Sequence, residues 1–205
     1  KGEFIGIVGE SGSGKTTLIN LLCGLLDPSE GSIYFDNKDI AKHSVKKIIG
    51  YVPQDIFLLD DTIRRNIAFG ESDNEIDDKK IYKAIKSAEL EELINNNPEG
   101  LGLLVGEKGI RLSGGERQRI AIARALYREP EILIFDEATS SLDNFTEKQI
   151  IKSINKLKNK LTIIMVAHRL TTVENCDRIY FFDKGKVLDE GKLDYLVEKY
   201  PQIKH

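Results

Sequence analysis

The residues Gly9–Thr17 (GESGSGKTT) have the types and spacing that phosphate chemistry needs. They fit G-x-x-x-x-G-K-[ST], with Gly9, Gly14, Lys15 and Thr16 at the fixed positions. Gly9, Gly12 and Gly14 permit backbone angles and a close approach that a Cβ would block. Lys15 would reach the β- and γ-phosphates, and the Thr16 hydroxyl would bind Mg²⁺. Ser11, Ser13 and Thr17 add hydroxyl donors, and Glu10 lies within the same wrap.

Acidic chemistry comes from Asp136-Glu137, which follow the apolar run Ile132–Phe135 (ILIF). Adjacent carboxylates at the end of a buried strand are costly unless they meet a cation or do chemistry. Asp136 is the natural Mg²⁺ partner of a phosphate loop, and Glu137 would polarise an attacking water as general base. Gln54, just past the apolar Ile48–Val52, is placed to reach Mg²⁺ or its water, although an ordinary loop residue has the same appearance. His168 follows Leu161–Ala167 at the end of a core strand, where open α/β sheets put ligand groups. Ser113-Gly114-Gly115-Glu116 opens an alanine-rich helical pattern that runs through Tyr127. Ser113 with Glu116 makes a capping box, and a Ser-Gly-Gly helix start is equally suited to holding an anion. The residues alone leave those two readings open.

These groups need elements to hold them. Phe4–Val8 (FIGIV) reads as a buried parallel strand, and Thr16–Leu26 as a helix stopped by Asp27-Pro28. Strand, glycine turn and helix start together aim backbone N–H groups and a positive helix end at one point. Gly31–Phe35 predicts a strand with a turn at Asp36-Asn37-Lys38. Asp78–Asn95 predicts one amphipathic helix ended by Asn95-Asn96-Asn97-Pro98. Leu142-Asp143 begins a further helix, Arg178–Phe182 and Lys186–Leu188 form a strand pair, and Leu193–Tyr200 closes with a short helix. Little strand pattern occurs from about 55 to 130, which predicts a helical lobe inserted in a sheet core made of about 1–54 and 131–205.

At 205 residues, 31% charged and 40% hydrophobic, the chain has the means to bury a full core. A net charge of −3 gives no reason to expect nucleic acid as the main partner. Cys23 and Cys176 lie far apart without metal spacing and read as buried free thiols of a reducing compartment. No apolar run approaches the ~18 residues that cross a bilayer. The chain opens at Lys1-Gly2, a few residues before a core strand, so it reads as cut from something longer.

In their order along nearly the whole chain, these groups resemble the nucleotide-binding domain of ABC ATPases. Gly9–Thr17 resembles Walker A, Gln54 the Q-loop, Leu112–Glu116 the LSGG signature, and Ile132–Asp136 Walker B. Glu137 resembles the catalytic glutamate, Ser140–Asp143 the D-loop, and His168 the switch histidine. The resemblance implies a P-loop, RecA-like α/β fold with a parallel-sheet core and an inserted α-helical subdomain. It implies a head-to-tail dimer in which ATP and Mg²⁺ lie between one chain's Walker A and the other's Ser113, Gly114 and Gly115, with Asp143 nearby. The aromatic that stacks on adenine and the first antiparallel strands belong to a region upstream of Lys1. Glu116 stands where many relatives carry Gln, a common variant.

Val52–Gly70 and Val105–Leu112 resemble exporter-type domains fused to a membrane domain, and most closely those of bacterial half-transporters that flip lipids or lipid-linked saccharides. The implied setting is the cytoplasmic face of the inner membrane, with a transmembrane partner encoded upstream. A soluble ABC ATPase acting on nucleic acid or ribosomes would carry coiled coils or paired motif sets; one motif set and no heptads are present. A regulatory module that binds ATP without turnover would have no use for Glu137 and His168.

Overall fold

A computed structural model describes residues 1–39, 48–167 and 169–204. The chain enters through β1 (Phe4–Val8) and turns at the glycine loop into α1 (Lys15–Leu22). β2 (Tyr34–Phe35) and β3 (Lys38–Asp39) form a small hairpin, turned by Asp36 and Asn37 at φ 46° and 63°. β4 (Ile49–Val52) precedes the helices α2 (Ile63–Ile67), α3 (Asp78–Ser87), α4 (Glu91–Asn96) and α5 (Gly114–Tyr127). The chain then alternates through β5 (Ile132–Asp136), α6 (Asn144–Asn155), β6 (Thr162–Val166) and α7 (Leu170–Val173). It finishes with the hairpin β7 (Arg178–Asp183) and β8 (Lys186–Gly191), then α8 (Leu193–Lys199).

Six of the strands make one sheet in the order β4-β5-β6-β1-β7-β8, parallel except for β8 against β7. Alternation along each strand divides the apolar residues between two faces. Ile7, Ile134, Val166 and Phe182 pack with Ile19 and Cys23 of α1. Phe4, Val8, Leu133, Phe135, Ile163 and Met165 point the other way, into the layer built by α5 and α6. The result is an α/β fold with a mostly parallel sheet, as the family resemblance implied. By the same alternation Asp136 shares the α1 face with Ile132 and Ile134, which puts its carboxylate on the side of the glycine loop.

The helical segment does not hold a core of its own. Ile63, Ile67, Ile81, Ile85 and Leu90 belong to the same buried cluster as Phe4 and Phe135 of the sheet. The helix α5 joins the two parts: it packs on α2 and α3 and also on β4. A Cβ on Gly50 of β4 would lie 2.9 Å from the Ala125 carbonyl oxygen.

Several element bounds differ from the sequence reading, among them β8, which runs on to Gly191. The first helix ends at Leu22 rather than Leu26, because Gly24 takes φ 65° and closes a Schellman turn. There the Gly24 N–H donates to the Leu21 carbonyl at 3.1 Å and the Leu25 N–H to Asn20 at 2.8 Å. Asp78–Asn95 is two helices, broken where Glu89 takes φ 54°. Tertiary contacts hold that break: the Glu89 carboxylate accepts from Ser153 at 2.7 Å and Lys156 at 2.5 Å, and Arg119 donates to the Ala88 carbonyl at 2.9 Å. The strand expected over Gly31–Phe35 is confined to Tyr34–Phe35. Both cysteines are buried and free, as expected.

Candidate active site

The glycine loop is braced by the β7–β8 hairpin. A Cβ on Gly9 would lie 2.1 Å from the Phe182 carbonyl oxygen, so no other residue fits there. The Gly185 N–H donates to the Ser13 carbonyl at 2.8 Å, and the Ser13 N–H to Glu10 at 3.1 Å. Gly14 occupies the N-cap of α1 at φ 102° and carries no side chain to satisfy the first-turn N–H groups. Those donors, with the positive end of the helix, face the loop's concavity. Gly12, at φ 80°, has open space on its Cβ side. The buried Ser13 hydroxyl has no hydrogen-bond partner among the described residues.

Lys15 is only 5% exposed, and its ammonium donates to the Gly9 and Glu10 carbonyls at 2.8 and 2.9 Å. Burial lowers its pKa, while the Glu137 and Asp136 carboxylates push the other way. Both carboxylates therefore act on the loop's cation. Asp136 is buried and accepts from the Tyr51 hydroxyl at 3.1 Å. Tyr51 is raised above its ordinary pKa by burial and then by Asp136, which keeps it a donor. Glu137 takes φ 50°, a strained angle for a residue with a side chain, and its N–H donates to the Val166 carbonyl at 3.1 Å. Thr16 and Thr17 are exposed on the first turn of α1, as are Glu10, Ser11 and Gly12 in the loop before it.

Gln54 is exposed, two residues beyond the end of β4, which lies next to β5 in the sheet. His168 lies outside the described residues. The second group assembles around the start of α5. Ser113 accepts from the Glu116 N–H at 3.3 Å, and its own N–H donates to the Glu116 carboxylate at 2.7 Å, completing the expected capping box. Ser113 remains exposed. A Cβ on Gly115 would lie 2.8 Å from Thr146 Cγ2, and one on Gly114 3.3 Å from Leu142. The glycines thus let α5 close onto the start of α6. Asp143 caps α6, accepting from the Phe145 and Thr146 N–H groups at 3.0 Å each. That hydrogen bonding, to Thr146 first, holds its carboxyl below the usual range.

Gly9–Thr17, Asp136 and Glu137 are thus brought together, and Ser113–Gly115 meets Asp143–Thr146. Among the described residues no hydrogen bond or ion pair joins the first group to Ser113–Glu116. Residue-by-residue reading missed Tyr51, whose position two residues before Pro53 gives no signal of its contact with Asp136. It also missed Glu147, although a carboxylate at the first position of the spacing 147, 150, 151, 154 with three isoleucines was visible.

The loop fits a nucleotide's phosphates, with the uncapped first turn of α1, a desolvated ammonium and a serine hydroxyl unpartnered among the described residues. Asp136 and the exposed Thr16 hydroxyl are hard oxygen donors of the kind Mg²⁺ takes. Among the described residues no helix is long and apolar enough to cross a membrane.

A family model described as ABC transporter matches residues 1–140. The chain is 44% identical over 200 residues to the ATP-dependent lipid A-core flippase of Cupriavidus pinatubonensis, covering 96% of this chain and 34% of that protein. It is 48% identical over 193 residues to heavy metal tolerance factor 1 of Caenorhabditis elegans, covering 93% of this chain and 24% of that protein. A bacterial Atm1-family ABC exporter solved with ATP bound superposes with a TM-score of 0.86 at 40% identity, over 98% of this chain and 36% of the other. The chain thus spans about a third or less of these relatives, each a larger protein. Relatedness of this degree, over nearly every residue and on the same fold, makes the chain a nucleotide-binding member of the ABC transporter family.

Proposed function

We propose that the chain is the ATP-hydrolysing motor of an exporter, working on the cytoplasmic face of the membrane as one of two domains joined head to tail. The observation that carries this reading is Glu137, held at φ 50° immediately after Asp136 with both carboxylates acting on Lys15. A strained residue next to a phosphate loop's cation is placed for chemistry more than for stability.

The loop N–H groups, Lys15 and the Ser13 hydroxyl would bind the phosphates of ATP. Thr16, Asp136 and Gln54 would hold Mg²⁺, which when bound neutralises charge developing on the β- and γ-phosphate oxygens. The Glu137 carboxylate accepts a proton from the attacking water as its oxygen bonds to the γ-phosphorus and the bond to ADP breaks. Tyr51 keeps Asp136 oriented. His168 would hold the γ-phosphate and the attacking water. Ser113, Gly114 and Gly115 would complete the site on the partner copy, and the 55–130 segment with Gln54 would relay closure to a transmembrane partner. The exporter names of the relatives favour transport over a soluble ATPase acting on nucleic acid or ribosomes. Among cargo classes, the similarity to the flippase favours lipid or lipid-linked saccharide.

Glu137→Gln tests the reading, because it keeps shape and hydrogen bonding but cannot take the proton. ATP binding should persist and hydrolysis should fall by roughly 10²–10⁴-fold. Near-normal turnover by that variant would remove Glu137 from the role.

A further inference from the structure

The buried residues of α6 are Glu147, Ile150, Ile151, Ser153 and Ile154. A carboxylate that is 5% exposed among isoleucines is costly unless its oxygens are satisfied. Here both are. Oε1 accepts from the Thr139 hydroxyl at 3.0 Å and the Thr172 hydroxyl at 2.8 Å, and Oε2 accepts from the Arg169 guanidinium at 2.6 Å. Thr139 and Thr172 are themselves 4% and 3% exposed.

These partners come from two chain segments. Thr139 lies two residues after Glu137, and Arg169 follows His168 directly. Arg169 also reaches the carbonyls of Ser140 and Leu142, each at 3.5 Å. A single buried carboxylate on α6 therefore fastens the turn that follows β5 to the segment that follows β6. Glu137 sits at the mouth of that turn, in an angle its own side chain does not favour. Something beyond its neighbours in sequence must hold it.

We propose that Glu147 is a positioning residue for ATP hydrolysis, fixing the Glu137 turn against the Arg169–Thr172 segment through Thr139, Thr172 and Arg169. This rests on the reading of Glu137 as general base. A carboxylate that merely satisfies the core would affect stability and leave turnover per folded molecule unchanged; a positioning residue changes kcat at constant substrate affinity.

The test measures ATPase kinetics and ATP binding in the full-length protein for wild type, Glu147→Gln, Thr139→Val and Thr139→Ser, with Glu137→Gln alongside. Each is assayed at a temperature where circular dichroism shows it folded. Glu147→Gln should lower kcat by about 10–10²-fold with KM and nucleotide affinity near wild type, the loss expected from a misplaced catalytic group. Thr139→Val should lower kcat in the same way, and Thr139→Ser, which restores the hydroxyl, should recover it. Wild-type kcat in a folded Glu147→Gln overturns the proposal, as does a loss confined to KM. If Glu147→Gln does not fold, the Thr139 pair decides, and equal kcat in the Val and Ser variants overturns it. A wild type without ATPase activity, or a Glu137→Gln with full activity, overturns both this and the reading it rests on.

Discussion

Burial and charge pull Lys15 in opposite directions, and the balance is what makes the loop receptive. Its ammonium is folded onto two carbonyls of its own loop, with Asp136 and Glu137 close enough to favour the charged form. A phosphate can take over those hydrogen bonds, with the cation that meets its charge already in place. The Asp136 carboxylate also acts on the thiol of Cys23, the C-cap of α1. Burial, with Asp136 adding to it, pushes Cys23 up to about 11 from an ordinary 9.0. In the unfolded chain this thiol ionises first, so unfolding gains free energy as pH rises. Below about pH 9 the stability given by the neutral buried thiol is fully present; it is lost between about pH 9 and 11. The shift corresponds to an order of 2–3 kcal/mol. Denaturant titrations across that range should show a steeper decline for wild type than for Cys23→Ala. Parallel profiles would dissociate Cys23 from the alkaline loss.

At the scale of elements, the start of α5 carries two demands that a sequence displays as one motif. Ser113 and Glu116 could be read as a capping box from spacing alone, because capping is local. The reason for Gly115 could not, because Thr146 lies 31 positions along the chain. Gly115→Ala should lower stability by about 1–3 kcal/mol through overpacking. Thr146→Ser removes the methyl that lies 2.8 Å from the new Cβ and should restore most of the loss, measured by thermal unfolding. A double variant no more stable than Gly115→Ala would place the cost elsewhere. Asp143→Ala, which strips the α6 cap, should cost about 0.5–2 kcal/mol. The five parallel strands of the sheet, the β7–β8 turn and the extent of α5 were legible for the same local reason. The end of α1 depended on Gly24 being read as a Schellman glycine. The α3–α4 break depended on Arg119, Ser153 and Lys156, which no local pattern links to Glu89. Glu147 was visible as an oddity among isoleucines, but its partners came only with the fold.

For the whole molecule, the shared core matters most. Ile63, Ile81 and Leu90 of the helical segment are continuous with Phe4 and Phe135 of the sheet. The start of α5 is thus carried on the sheet that holds the glycine loop, while no hydrogen bond or ion pair joins Ser113–Glu116 to Gly9–Thr17 among the described residues. Ser113 is exposed there, as the proposed contact with a second copy requires. The most direct measurement mixes two variants of the full-length protein, Lys15→Ala and Ser113→Arg. In the proposed head-to-tail arrangement, each alone would form dimers with both sites defective. In a mixed dimer both defects fall on one site, leaving the other with an intact loop and an intact Ser113-Gly114-Gly115 surface. If ATP lies between the two copies, mixing restores measurable ATPase activity. An active Ser113→Arg homodimer, or no recovery despite verified mixed dimers, would contradict it.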